Sequence, residues 1–222
     1  MLFRSWWGPV ITEYYSSTEA NGLTLISAAE WLAHEGSVGR AVVGRIRICD
    51  ADGAEVPVGT VGTVYFERDE VPFTYHGDPE KTRAAQHPEH PTWTTTGDLG
   101  RVDEEGYLYL ADRQSFLIIS GGVNIYPQEI ENCLALHPAV EDVAVTGVPD
   151  EEMGESVHAW VVPAAAYGGV DRTALAEEIT AHVRAHLAGY KVPRGVTFLD
   201  TLPRTPTGKL VKSRIAAPTP TA

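Results

Sequence analysis

Residues 112–127 read DRQSFLIISGGVNIYP, and the character of the chain changes within them. Leu117 to Ile119 is a short apolar run that ends at Ser120-Gly121-Gly122. Two adjacent glycines let the backbone turn sharply and let a ligand approach it without meeting a side chain. Pro127 then suits the first turn of a helix, with Glu129 and Glu131 near its positive end. Ile130, Leu134 and His137 follow at helical spacing, and Pro138 stops the run.

Downstream, Val143 to Thr146 and Val157 to Val162 read as strands. Asp171 is placed to cap a second helix, where Leu175, Ile179, Val183 and Leu187 form one apolar stripe. Gly189 suits the position after its C-terminus, and Val196 to Leu199 is a last strand. The tail over 216–222 is low in complexity and expected to be loose. Upstream, Arg45 to Cys49, Val61 to Glu67 and Gly106 to Ala111 read as strands, and a short helix is expected over Asp78 to Gln86. The fold class is therefore α+β: a β-rich region over 1–112, then a small β-α-β-β-α-β domain over 113–222.

Composition narrows the function. The 222 residues carry 17 basic and 30 acidic side chains, a net charge of −13. A field of that sign repels phosphate backbones, so nucleic acid is not an expected partner. Cys49 and Cys133 stand far apart with no CxxC, which excludes a disulfide scaffold and fits a cytoplasmic location. The longest nearly apolar run, Ala159 to Ala166, is too short for a transmembrane segment.

Four segments carry candidate chemistry, each with an ordinary structural alternative. In Tyr15-Ser16-Ser17-Thr18-Glu19, a small-residue turn offers N–H groups and a hydroxyl to a phosphate. Glu19 offers a hard oxygen ligand to Mg²⁺; alternatively Ser17 or Thr18 simply caps a helix. In TTTGD over 94–98, Asp98 can accept from two vicinal hydroxyls, as a ribose presents them, or be a solvated turn residue. Arg113 can pair with phosphate or ribose oxygens, or form a surface ion pair. In PRTPTGKLVK over 203–212, Lys209 follows a glycine on a proline-stiffened loop. Its ammonium can stabilise charge on a phosphoryl group, or be one more exposed lysine.

Taken in order, YSSTE, TTTGDLG, DRQSFLIISGGVNIYPQEIE and PRTPTGKLVK resemble the adenylate-forming superfamily of acyl-CoA synthetases, adenylation domains and luciferases. The GGVNIYPQEIE run is more like CoA ligases of the fatty-acyl or medium-chain type. The resemblance implies that 1–112 is the C-terminal part of a large AMP-binding domain and 113–222 a small mobile domain. It implies nucleotide contacts from Tyr15, Thr18, Asp98, Arg113 and Lys209, and Mg²⁺ held by Glu19. Thr18, Glu19 and Lys209 are the implied catalytic residues, with Lys209 bridging ATP and the carboxylate. Gly121 and Gly122 would line the path of CoA, and Ser115 stands at the hinge, where the family usually has Asp or Lys. The implied substrates are a carboxylic acid of fatty-acyl type, ATP and CoA. The family's Gly/Ser/Thr-rich phosphate loop has no match in the sequence. An incomplete ligase, inactive without an N-terminal portion of the same enzyme, is therefore expected. The alternatives are a noncatalytic nucleotide- or partner-binding module and an adenylation domain that loads a carrier protein.

Overall fold

The structure is a computed structural model that describes residue 8 and residues 10–215; the expected loose tail over 216–222 lies outside the described residues. The chain divides into two compact units, Met1–Ser115 and Phe116–Ala222. The class is α+β, with mostly antiparallel sheets, one of them mixed, and few helices.

In the first unit, β1 (Thr12–Ser16), β2 (Leu23–Ser27) and β3 (Arg40–Val43) form a three-stranded antiparallel sheet. Helix α1 (Ala28–Ala33) follows β2 directly. Ser27 caps it and Glu30 reaches back to the Ser27 N–H, a capping box readable in the sequence as Ser27-Ala28-Ala29-Glu30. The second sheet contains β4 (Arg45–Cys49), β5 (Gly62–Glu67), β7 (Asp98–Val102) and β8 (Leu108–Arg113) in that spatial order. The short β6 (Trp93–Thr94) lies beside β5. Helix α2 (Pro79–Ala84), capped by Asp78, falls inside the range expected for it. Alternation along β5 points Val64 and Phe66 into a core shared with Ile48 and Leu108.

Strand β8 runs through Arg113 and pairs it with Asp98. Residues 113–115 therefore belong with the first compact unit, which ends at Ser115, at the close of the stretch 112–115 where the character of the chain changes.

In the second unit, β9 (Ile118–Ser120) and β10 (Val123–Ile125) form a hairpin, and α3 (Pro127–Leu134) follows. Strands β11 (Val140–Asp150) and β12 (Gly154–Pro163) form a long antiparallel pair, and β13 (Gly195–Phe198) runs parallel to β12 after helix α4 (Arg172–His186). Val143 and Val145 face the helices with Val157, Ala159 and Val161, and there meet Ile130, Leu134, Leu175, Ile179 and Val183. Full burial of aliphatic side chains of this size stabilises by about 1.5–3 kcal/mol each. On the opposite face, Ala144 and Trp160 bury Leu202, with Leu210 and Ile215 packed at the edge.

The strands β11 and β12 extend beyond the four and six residues expected. Their partly exposed ends lack the apolar signal but still pair with one another. Helix α3 ends at Leu134, so His137 lies past it, buried in the following turn. Gly189 is not a left-handed cap. The chain leaves α4 at Leu187 in extended conformation, and Gly189 opens a 3-10 turn over Gly189–Lys191. Among the described residues, no helix is long and apolar enough to cross a membrane.

Candidate nucleotide site and lysine loop

In the first unit, β7 delivers Asp98 to the edge of an open depression of about 360 Å³ lined by Thr96, Gly97, Arg113, Gln114 and Ser115. Gly97 has φ +83°, the left-handed turn that brings the chain into β7. The turn is fixed on both sides. Gly97 N–H donates to Thr95 Oγ1 at 3.0 Å, and Gln114 N–H donates to the Gly97 carbonyl at 2.8 Å.

Asp98 is 8% exposed, and its carboxylate is held by three donors. Tyr15 OH donates to Oδ2 at 2.5 Å, Thr96 OH donates to Oδ2 at 3.0 Å, and Arg113 Nε donates to Oδ1 at 3.1 Å. Burial, then the Asp98 carboxylate, pushes the Tyr15 phenol far above its ordinary range, so it stays a donor. A carboxylate offers roughly four lone-pair positions, and three are filled here. A vicinal diol needs two. The side chain of Arg113 is 61% exposed, and its release would open Oδ1 to both hydroxyls.

Thr18 and Glu19 form the centre of a tight turn, closed by the Ala20 N–H donating to the Ser17 carbonyl at 3.1 Å. No helix follows, so neither Ser17 nor Thr18 is a helix cap. Two ties fix this turn to the Asp98 segment. One is Tyr15 on Asp98. The other is buried Asn21, whose Nδ2 donates to the Thr94 carbonyl at 3.4 Å and whose Oδ1 accepts from Ser17 OH at 2.8 Å. Thr18 is exposed, and Glu19 accepts at Oε1 from Tyr75 OH at 3.0 Å. The turn thus presents a hydroxyl and a steadied carboxylate, a hard oxygen donor of the kind Mg²⁺ takes. Asn21, Tyr75 and Thr96 are absent from the sequence-based site. Asn21-Gly22 is a turn signal that marks the first of them, whereas Tyr75 carries no local signal.

Ser115 is the exposed middle residue of a 3-10 turn over Gln114–Phe116, where the division between the units falls.

In the second unit, Gly121 and Gly122 are the two-residue turn between β9 and β10, with φ +56° and +79°. Two successive positive φ values define a tight hairpin turn that glycine alone adopts without strain. A Cβ on Gly121 would stand 2.6 Å from Met153 Cε. Lys209 ends a second tight turn. Thr205 N–H donates to the Lys209 carbonyl at 2.8 Å, Gly208 N–H to the Thr205 carbonyl at 2.9 Å, and Gly208 has φ +85°. Pro206 stiffens the turn, and Arg204 straps it to β11 by donating to Asp142 Oδ2 at 2.6 Å. The Lys209 side chain is exposed, and no ion pair holds its ammonium among the described residues.

Three residues on, Lys212 behaves in the opposite way. Its ammonium lies 2.7 Å from Glu131 Oε1, with both side chains under a tenth exposed, and Glu131 Oε1 also accepts from Val145 N–H at 2.7 Å. This buried pair ties the loop that carries Lys209 to α3 and β11. The pattern of exposed lysines gives no hint of it.

Residues 129–209 match the AMP-binding enzyme C-terminal domain family. A long-chain-fatty-acid–CoA ligase, FadD13 of Mycobacterium tuberculosis, is 38% identical over 91% of the chain and 39% of its own length. A feruloyl-CoA synthase of Amycolatopsis is 38% identical over 94% of the chain and 41% of its own length. Among solved structures, the o-succinylbenzoate coenzyme A synthetase MenE of Bacillus subtilis, in complex with ATP and magnesium ion, superposes with a TM-score of 0.78. It is 34% identical, over 92% of this chain and 41% of that one. Residues 129–209 fall in that family, and over most of its length the chain is similar to adenylate-forming enzymes, whose C-terminal portion it matches. Within that superfamily, these curated relatives are CoA ligases, and the chain spans about two fifths of their length.

Proposed function

We propose that the chain is the diol-gripping and lysine-bearing portion of an ATP-dependent acyl-CoA ligase. The observation that carries this reading is the Asp98 carboxylate, buried, triply held and set at the rim of an open depression. In the first half-reaction a carboxylate oxygen attacks the α-phosphorus of ATP. The bond to pyrophosphate breaks and acyl-AMP forms. In the second, the CoA thiol sulfur attacks the acyl carbon and AMP leaves with the electron pair.

Asp98 accepts from the ribose hydroxyls, and Arg113 exchanges its pairing with Asp98 for the nucleotide. Thr18 donates to the α-phosphate. Glu19 would hold magnesium through a carboxylate oxygen, and the bound ion would neutralise phosphate charge. Lys209 brings a point charge between two anions that otherwise repel, and its exposed, unpaired position suits delivery and withdrawal about Ser115. Gly121 and Gly122 leave backbone bare where the pantetheine arm of CoA is to pass. The carboxylic acid is of fatty-acyl class, and the two unpaired cysteines fit a cytoplasmic enzyme. No segment matches the family's phosphate loop, so the chain alone is inactive and works with an N-terminal portion of the same enzyme.

Calorimetric titration tests the central assignment. The chain should bind AMP, and should bind the 2′,3′-dideoxy analogue, which lacks both hydroxyls, at least about tenfold more weakly, since the loss of even one hydrogen bond to a charged group is worth that much. Asp98→Asn should erase that discrimination. Equal binding of the two nucleotides by the unaltered chain, or no binding of either, overturns it.

A further inference from the structure

We propose that Cys133, His182 and His186 form a transition-metal site, suited to zinc, on the outer side of the α3–α4 pair. His182 and His186 stand one helical turn apart on α4, so both project from the same face. Cys133 is the penultimate residue of α3, the helix packed beside it. One ligand atom from each of the three lies within 4.8 Å of the other two. In a tetrahedral zinc site, with bonds of about 2.0–2.3 Å, neighbouring ligand atoms sit roughly 3.5 Å apart. Closing the difference takes about an ångström, within reach of side-chain rotation at the half-exposed and exposed imidazoles.

The surroundings are those of a ligand set rather than of three chance neighbours. His186 Nδ1 meets the His182 carbonyl at 2.8 Å, and His182 Nε2 meets the Cys133 carbonyl at 3.2 Å. Each ring thus has one nitrogen engaged by a backbone oxygen, which leaves the other available to a metal. Metal-binding histidines are oriented in this manner. The two rings lie 4.4 Å apart, centre to centre. His137, edge-on to His182 at 4.9 Å, does not join the set. Its Nδ1 accepts from Ala139 N–H, and its Nε2 faces Glu178 at 3.4 Å. One thiolate and two imidazoles select zinc or a similarly borderline ion over magnesium or calcium, which take oxygen. His186 is exposed, which leaves the fourth position to water. None of these residues takes part in the nucleotide and thiol chemistry proposed above, so the two readings stand or fall separately.

Cobalt(II) reports the site directly. Titration of the reduced, metal-free chain with cobalt should give one equivalent of binding, with a thiolate-to-cobalt charge-transfer band in the near ultraviolet. Zinc should displace the ion. Cys133→Ser should abolish the band, and Cys49→Ser should leave it intact. His186→Ala, a change at an exposed position that leaves the core untouched, should weaken zinc at least about tenfold in competition with a chromophoric chelator. The proposal is overturned if no charge-transfer band forms, if the band follows Cys49, or if His186→Ala binds zinc as tightly as the unaltered chain.

Discussion

Asp98 and Lys209 are opposite in charge and opposite in setting. Asp98 is buried, and three donors from β1, the turn before β7 and the end of β8 fix both of its oxygens. Lys209 is exposed at the end of a tight turn, and only the backbone of that turn is fixed. The first unit presents an acceptor whose position is settled before any ligand arrives. The second presents a cation whose stem is anchored and whose head is free. An acceptor that reads the hydroxyls of a sugar gains from preorganisation, because the exchange of Arg113 is then the main reorganisation left to oppose binding. A cation that has to enter and leave a reaction centre gains from the reverse.

Within the second unit the same contrast separates two lysines three residues apart, and their substitution gives the largest expected effects. Lys212→Ala strips the partner from a buried Glu131, which commonly costs about 3–5 kcal/mol. Denaturant unfolding of the chain should show a loss of that size in the transition that reports the second unit. Lys209→Ala should leave that transition within about 0.5 kcal/mol. In the complete ligase it should slow adenylation by roughly 10²–10³, the usual loss for one transition-state electrostatic contact, and spare thioester formation from supplied acyl-AMP. Equal stability losses from the two variants would break the contrast. Equal loss of both half-reactions would remove Lys209 from its proposed role.

The fixed acceptor is tested next, with a smaller effect. Tyr15→Phe removes one donor from the Asp98 carboxylate and keeps the ring that packs against Phe66 at 6.2 Å. A hydrogen bond to a charged group is worth about 1.5–3 kcal/mol, and Thr96 and Arg113 remain to share the acceptor. A loss near the lower end is expected in thermal unfolding of the first unit. An unchanged midpoint would mean that Asp98 is held by its neighbours alone.

What was readable in the sequence follows from the range of the forces involved. The apolar stripe Leu175-Ile179-Val183 and the Asp171 cap are local and periodic, and they gave α4 to within a residue. Glycine pairs and Gly-Lys turns are local too, so Gly121-Gly122 and the Lys209 loop are legible as turns, although the glycines close a hairpin with the unexpected strand β10 and do not lead straight into α3. The α1 helix, marked by Ser27-Ala28-Ala29-Glu30, is equally local, although it is not among the elements expected above. Tyr75 on Glu19, Asn21 on Thr94 and Lys212 on Glu131 join residues 56, 73 and 81 positions apart. No periodicity encodes such pairings, because only the folded sheet brings their partners together. The site residues were therefore nameable one by one, whereas the groups that hold them were not.

The smallest expected effect concerns the wall behind the lysine loop. His158 lies on β12, 7% exposed, with Nε2 at 2.8 Å from Thr197 Oγ1 on β13 and its ring beside Trp160. Burial holds its pKa below the ordinary 6.5, and no charged partner opposes that shift. The unfolded chain therefore binds a proton at this position at higher pH than the folded chain does. Stability from this residue is full above about pH 6.5 and falls as pH drops through that value toward the lower folded pKa. Unfolding midpoints of the second unit should decline over that interval, and His158→Gln, which keeps a hydrogen-bonding side chain without a titrating proton, should flatten the decline relative to the unaltered chain. Trp160 shares β12 with His158 and packs with Leu202 at the root of the loop, so protonation here is expected to act on the anchorage of Lys209 and not on the grip of Asp98. A pH-dependent midpoint that survives His158→Gln undiminished would move the sensitivity elsewhere in the unit, and one confined to the first unit would reverse the assignment of the rigid and the adjustable halves.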